Sequence, residues 1–399
     1  MRNKIKLAGI LLSVYIGFAF SACEMDIFGS GDPGINAAEL VSKMTIGWNL
    51  GNTLDAHYKT EPNASHTVSQ MERAWISART TQTMVDTIKN AGFNTIRIPV
   101  TWYKAADADG NIRADWMARV KEIVDYGITA GMFVILNSHH DEYVYNTALT
   151  RIAGIFGFKN EAEKNESIPR FQKIWGQIAK TFKDYDERLI FEGLNEPRVQ
   201  RSSLEWSGGT AEERAILNEY YQVFVDTVRK SGGKNHKRIL MINTYGASAS
   251  ANAVNGLVLP ADPTPDRLIV SVHFYSPSNF ALTTGSGAVA AWDRNSSTDT
   301  SPITGNMNRV HTAFVSKGIP VIIGEFGAMN RNNEKARADW ADFYVSNARE
   351  KGIKCVWWDN GLITSTDPAM ELFGIINRTN YSFPFPVLLD SMLKAAGAK

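Results

Sequence analysis

Two glutamates stand at the ends of apolar, strand-forming runs far apart in the chain. Residues 189–198 read LIFEGLNEPR and place Glu196 behind a run of β-formers, just before Pro197. Proline cannot extend a sheet, so the strand is expected to stop there and leave Asn195 and Glu196 at its mouth. Residues 319–328, IPVIIGEFGA, deliver Glu325 in the same way. One solvated acid at a strand end needs no functional explanation. Two carboxylates carried out of the core by two buried strands suit a reaction in which one protonates a leaving group while the other attacks.

Such a pair needs a scaffold that brings distant strand ends to one rim. From residue 37 onward, apolar β-like runs alternate with amphipathic stretches at helical spacing. The runs fall at 44–50, 95–100, 133–137, 189–196, 239–244, 268–275, 321–326 and 355–359. Eight of them predict an α/β fold, a single (β/α)8 TIM barrel over residues 37–399. Helices are expected over 81–90, ending at Gly92, and over 211–230 and 336–351. The stretches 141–169 and 276–308 are too long and polar for ordinary connections. They follow the third and sixth strands and are expected to form cleft walls, because the loops after the strands build a barrel's active face.

The predicted strand ends present a consistent cast: Asn52, Arg97, His139 and His140, Asn195 with Glu196, His273 with Tyr275, Glu325, and Trp358 with Asp359. Each alone has a structural explanation, since a strand-end histidine is commonly a hydrogen-bonded core residue. Their recurrence at the same end of successive strands points to a site. Trp357 and Trp358 must point to opposite faces of their strand, so one of them is packing. Trp206 and Trp292, in the loops after strands four and six, are candidates for stacking the flat faces of a ligand.

Composition narrows the remaining classes. The chain has 399 residues, a formal net charge of +1 and ten tryptophans. No basic stripe is present to collect phosphates, so no nucleic-acid partner is expected. Arg2, Lys4 and Lys6 precede an apolar run and then Ser21, Ala22 and Cys23, the pattern of an export signal over 1–22. The position of Cys23 resembles that of a lipidated N-terminal cysteine. Residues 23–36 then read as a flexible tether, and the expected location is a bacterial membrane surface, reached only through that anchor. A lipidated Cys23 could form no disulfide with Cys355, which lies in an apolar run and reads as a buried thiol. A monomer is expected.

Seven motifs, in order, resemble glycoside hydrolase family 5, the cellulase-type barrels: GWNLGNTLDA (47–56), IRIPVTW (96–102), NSHHD (137–141), FEGLNEPR (191–198), VSVHFYSP (270–277), GEFGA (324–328) and WWDNG (357–361). The wording is most similar to subfamily 4, whose members are endo-β-glucanases acting on cellulose, mixed-linkage glucan or xyloglucan. Ser138 stands where a leucine or isoleucine is more usual. The resemblance implies a retaining hydrolase with no cofactor and no metal, in which Glu196 is the acid/base and Glu325 the nucleophile. Glu196 would be kept protonated by the negative charge of its partner, and Arg97 with Tyr275 would keep Glu325 ionised. Asn195 would bind the sugar 2-hydroxyl and His273 would orient Glu196. Asn52, His139 and His140 would line the pocket over a Trp358 floor.

Three other readings are open to these residues. His139, His140, Asp141 and Glu142 could ligate a metal, although adjacent residues share a site only if the strand has ended. An endo-acting mannanase or xylanase could use the same barrel. A non-catalytic glycan-binding lipoprotein would be expected to lack one of the two acids.

Overall fold

The computed structural model describes residues 34–57 and 65–399. The expected export signal, Cys23 and the tether as far as residue 33 lie outside these residues. Gly34–Lys399 forms one compact unit. Its sheet is a closed barrel of eight strands, each paired in parallel with its sequence neighbours, with the last returning to the first. In chain order they are β1 (Ile46–Leu50), β2 (Thr95–Ile98), β3 (Phe133–Asn137), β4 (Leu189–Glu192), β5 (Leu240–Ser248), β6 (Leu268–His273), β7 (Val321–Phe326) and β8 (Lys354–Asp359).

The strand sequences dictate two cores. Residues facing the axis, among them Ile135, Ile190, Met241, Ile269, Ile322 and Val356, fill the lower barrel. Helix α1 (Ala37–Lys43) closes that end with Leu40 and Val41. Asn36 caps it in a reciprocal bond with Glu39, and Arg267 donates to the Ile35 carbonyl. Ile35 and Asn36, which the sequence assigns to the tether over 23–36, are thus tied to the barrel. Outward-facing residues such as Trp48, Ile96, Val134 and Phe191 pack under the helices in a larger cluster. Cys355 is buried and forms no disulfide among the described residues.

Between the strands run α2 (Gln82–Ala91), α3 (Ala114–Thr129), α4 (Glu161–Thr181), α5 (Ala211–Lys230), α6 (Ser297–Ala313) and α7 (Glu334–Glu350), and α8 (Pro386–Ala396) follows β8. Helix α2 starts as expected, with Thr81 accepting from the Met84 amide at 3.2 Å, and stops at Gly92. Other boundaries differ from expectation. Strand β4 ends at Glu192, not at Pro197, so Asn195 and Glu196 sit on a turn above the barrel. The 141–169 stretch folds partly as a two-stranded hairpin, Val144–Tyr145 against Arg151–Ala153, and then enters α4 at Glu161. Pro169 reads as a helix breaker, worth about 3 kcal/mol in a helix interior. Burial of Phe171, Ile174, Trp175 and Ile178 along α4 holds the helix through it. Helix α6 likewise claims 297–308 from the expected sixth loop, on an apolar face of only Ile303, Met307 and Val310.

Candidate active site

One buried cation organises the top of the barrel. Arg97 is wholly enclosed and shares its β2 level with Asn49 of β1, which in turn pairs with Trp358 of β8. Its Nε donates to Glu192 Oε2 at 2.6 Å and its Nη2 to Glu192 Oε1 at 3.2 Å. Nη2 also donates to Asn195 Oδ1 at 2.7 Å. Nη1 donates to Glu325 Oε1 at 2.8 Å and Asn49 Oδ1 at 2.9 Å. Burial alone would lower the guanidinium pKa, but the charges of Glu192 and Glu325 more than reverse it, so Arg97 stays a cation. Such a cation fixes two acids and the Asn195 amide in one rigid frame.

Glu196 and Glu325 meet across this frame. Each offers a carboxylate oxygen to a cluster with a ring nitrogen of His273, all within 4.8 Å of one another. His273 Nδ1 lies 3.1 Å from Glu196 Oε1 and 3.8 Å from Glu325 Oε2. The Tyr275 hydroxyl donates to Glu325 Oε2 at 2.9 Å. On the far side of Glu196, Arg198 Nη1 stands 3.4 Å from Oε2. Gly324 is required beneath His273, since a Cβ there would come within 2.7 Å of its Nε2.

Burial is the first cause acting on the titration of both acids, and it raises each above the usual carboxylate range. At Glu196 the positive charges of Arg198 and then Arg97 oppose it, and Glu205 adds to it. This corrects the expectation that the partner carboxylate chiefly holds Glu196 up. At Glu325 the charge of His273 when it is protonated, and then the charge of Arg97 with its direct bond, oppose burial, while Glu196 adds to it. His273 is lowered to about 4, first by burial, and adds no charge above that pH. Burial also holds the Tyr275 hydroxyl protonated, so it remains a donor.

The other expected residues divide. His139 lies with its Nε2 4.0 Å from Glu325 Oε1, and its ring stacks parallel to Trp358 at 5.7 Å. Burial lowers its pKa well below the usual value. Asn137 Nδ2 faces its Nδ1 at 3.1 Å, so Nδ1 accepts and the proton sits on Nε2, toward Glu325. His140 turns its ring edge-on to His139 at 4.4 Å and also contacts His57 and Trp75. Both histidines share the site because β3 has ended at Asn137. Asn52 lies beyond β1 in the left-handed region, φ 57°, which asparagine tolerates. Gly51 before it lets Trp358 approach, for a Cβ there would meet the indole at 2.8 Å.

Trp357 points away from Trp358, into the helix layer against Phe326 and Trp340. Trp206 is 57% exposed, with the Arg198 guanidinium 4.2 Å from its ring centroid. Trp292 is only 8% exposed and packs on Phe343 at 5.4 Å. Buried to that extent against α7, with its Nε1 donating to the Asp299 carbonyl at 3.4 Å, it offers little face to a sugar, contrary to expectation. Of His139, His140, Asp141 and Glu142, the two histidines come together but with Asp55, not with Asp141. The Asp141 carboxylate accepts from the Trp102 and Tyr103 amides at 2.8 Å each and from Ser138. Asp55, which lies with His139 and His140, accepts from the Asn52 and Thr53 amides at 3.0 and 2.7 Å.

Sequence reasoning missed Glu192, Asn49, Asn243 and Arg198. Asn243 Nδ2 donates to Glu192 Oε1 at 3.0 Å and completes the cage around that acid. The signal for Glu192 was present: a lone charge two residues after Ile190, on the barrel-facing side of an apolar strand, must have a buried partner.

The model of the cellulase family, glycosyl hydrolase family 5, matches residues 55–362. Endoglucanase A of Clostridium longisporum is 41% identical over 361 residues, which are 90% of this chain and 66% of the relative. The solved structure of a GH5-4 broad specificity endoglucanase from Ruminococcus champanellensis with bound cellotriose superposes with a TM-score of 0.82 at 40% identity, covering 90% of this chain and 98% of that one. A mutant family 5 lichenase from Caldicellulosiruptor in complex with cellotetraose gives 0.83 at 38% identity, covering 91% and 96%. The chain belongs to glycosyl hydrolase family 5, and its barrel is that family's fold.

Proposed function

We propose that the protein is a retaining endo-β-1,4-glucanase in which Glu196 is the general acid/base and Glu325 the nucleophile. The observation that carries this reading is the approach of their carboxylate oxygens within 4.8 Å. Retaining enzymes hold their carboxyl groups about 5–5.5 Å apart, whereas inverting enzymes leave about 6.5–9.5 Å for a water. The partners of the two acids support these roles. Glu325 receives direct donors from Arg97 and Tyr275, which favour its ionised, attacking form. When the pair holds one proton, that proton resides on Glu196, where the nearest cation is 3.4 Å away.

Glu325 attacks the anomeric carbon while Glu196 gives its proton to the departing glycosidic oxygen, leaving a glycosyl ester on Glu325. Water then attacks that carbon, Glu196 takes the water proton, and the ester bond's electron pair returns to Glu325. Asn195, fixed by Arg97, is assigned to the sugar 2-hydroxyl. Trp358, with His139 and His140, forms the floor and wall of the pocket, Asn52 lies at its rim, and Trp206 is a platform for a further sugar.

The relatives' names support β-1,4-linked glucans as the substrate class, both cellulose-type and mixed-linkage. A panel of carboxymethylcellulose, barley β-glucan, xyloglucan, mannan and xylan with product sizing tests it. Rapid loss of viscosity with mid-sized oligosaccharides is expected on one or more glucans. Activity confined to mannan or xylan, or release of short products only, would overturn it. We propose further that the enzyme is exported and lipid-anchored through Cys23. Incorporation of labelled palmitate that disappears in Cys23→Ser tests that, and an unlabelled, freely soluble wild-type protein would refute it.

A further inference from the structure

Arg198 is held more firmly than a surface arginine needs to be. Its Nη1 donates to the Glu196 carbonyl at 2.8 Å, its Nε donates to Glu205 Oε1 at 3.0 Å, and its guanidinium lies 4.2 Å from the Trp206 ring centroid. These three restraints aim the positive end of the group at Glu196 Oε2, 3.4 Å away. A second acid on this face, Glu142, is buried, and its Oε1 has no hydrogen-bond partner among the described residues. Burial pushes Glu142 up to about 8, so below that pH it takes none of the arginine's charge.

A cation beside a general acid is at first sight misplaced, because it favours loss of the very proton the acid must deliver. The two halves of the reaction resolve this. Before the ester forms, Glu325 is an anion and counters Arg198 at Glu196. Once Glu325 is esterified that negative charge is gone, and Glu196 must be ionised to take a proton from water. Resting on the acid/base reading of Glu196, we infer that Arg198 is a positioning residue for the second half-reaction: locked by Glu205 and Trp206, it keeps Glu196 in its ionised, base-competent form while the glycosyl ester is hydrolysed. Of the other charged or titratable groups facing Glu196, Arg97 acts in the same direction but after Arg198 and is matched by Glu192, His273 is neutral above about pH 4, and Glu205 opposes ionisation; Glu371, in the loop after β8, is itself raised, first by burial and then by the charge of Glu196.

The test uses 2,4-dinitrophenyl β-cellobioside, whose activated leaving group makes ester hydrolysis limit kcat. An opposite charge at this range shifts a carboxyl by about one unit at the low end, the end appropriate to a guanidinium shared with Glu205. In Arg198→Met, kcat is expected to fall about tenfold below its acid limb and KM to fall with it, while kcat/KM falls less. The acid limb of kcat should move up by about one unit, because the base form of Glu196 then appears at higher pH. Azide should restore kcat, since it attacks the anomeric carbon without a proton to lose and releases glycosyl azide. Arg198→Lys should keep the wild-type limb. Equal falls in kcat and kcat/KM with an unmoved limb would show a structural role and overturn the inference. Glu196→Gln, assayed beside it with azide, tests the underlying assignment separately: absence of azide rescue there would remove the acid/base reading whatever Arg198 does.

Discussion

Removing the Tyr275 hydroxyl should change how readily Glu325 ionises and little else. The hydroxyl donates to Glu325 Oε2 at 2.9 Å, while the ring is held independently by Phe373 at 5.4 Å, so phenylalanine should occupy the same space. A hydrogen bond to a charged group contributes roughly 1.5–3 kcal/mol. At 1.36 kcal/mol per unit, its loss raises the Glu325 pKa by roughly one to two units. The sign follows from the role: the nucleophile must be ionised, and the lost donor favoured the ionised form. Activity that wild type retains as the pH falls is therefore lost earlier in Tyr275→Phe. The acid limb of kcat/KM on a soluble cello-oligosaccharide should move up by roughly one to two units. The alkaline limb, which reports Glu196, should stay in place. A uniform drop with both limbs fixed, or movement of the alkaline limb alone, would refute the assignment of Tyr275 to the nucleophile.

Three further substitutions have defined outcomes. Glu192→Gln leaves Arg97 buried with one carboxylate fewer, and thermal or denaturant unfolding should show a loss of about 3–5 kcal/mol; an unchanged transition would contradict the central place given to that pair. Trp206→Ala should raise KM for long glucans about three- to tenfold with little effect on stability, whereas Trp292→Ala should cost about 3–5 kcal/mol of stability and leave KM unchanged. The reverse pattern would exchange the roles of the two tryptophans.

Sequence pattern located the strands well where burial on both faces makes an apolar run, as at Phe133–Asn137 and Val321–Phe326. Strand ends were less legible. The stretch after Glu192 keeps apolar Leu194, so periodicity carried the strand four residues too far, while the backbone had already turned to lift Glu196 over the cleft. Pro169 hid a helix whose buried face lies mostly after it, and the Ser- and Thr-rich start of α6 hid another. Of the site, the polar residues that the structure gathers around Arg97 and His273, Glu196 and Glu325 among them, stand out in sequence because they interrupt or follow apolar runs. Glu192 and Asn243 were missed, because what they do is visible only across strands: both complete the shell of a cation that comes from β2. Trp206 and Trp292 are alike in sequence for the same reason, since whether a loop tryptophan meets solvent or Phe343 is decided by the packing of a distant helix.

Whether Glu325 forms the covalent bond can be measured directly. The 2-fluorine of 2,4-dinitrophenyl 2-deoxy-2-fluoro-β-cellobioside slows both half-reactions and should let the glycosyl ester accumulate, adding one 2-deoxy-2-fluorocellobiosyl mass to the protein. Fragmentation of the labelled peptide should place the sugar on Glu325, and wild-type turnover should release the β-anomer first. A label on any other residue, or an α-anomer as first product with no ester formed, would contradict the double-displacement account.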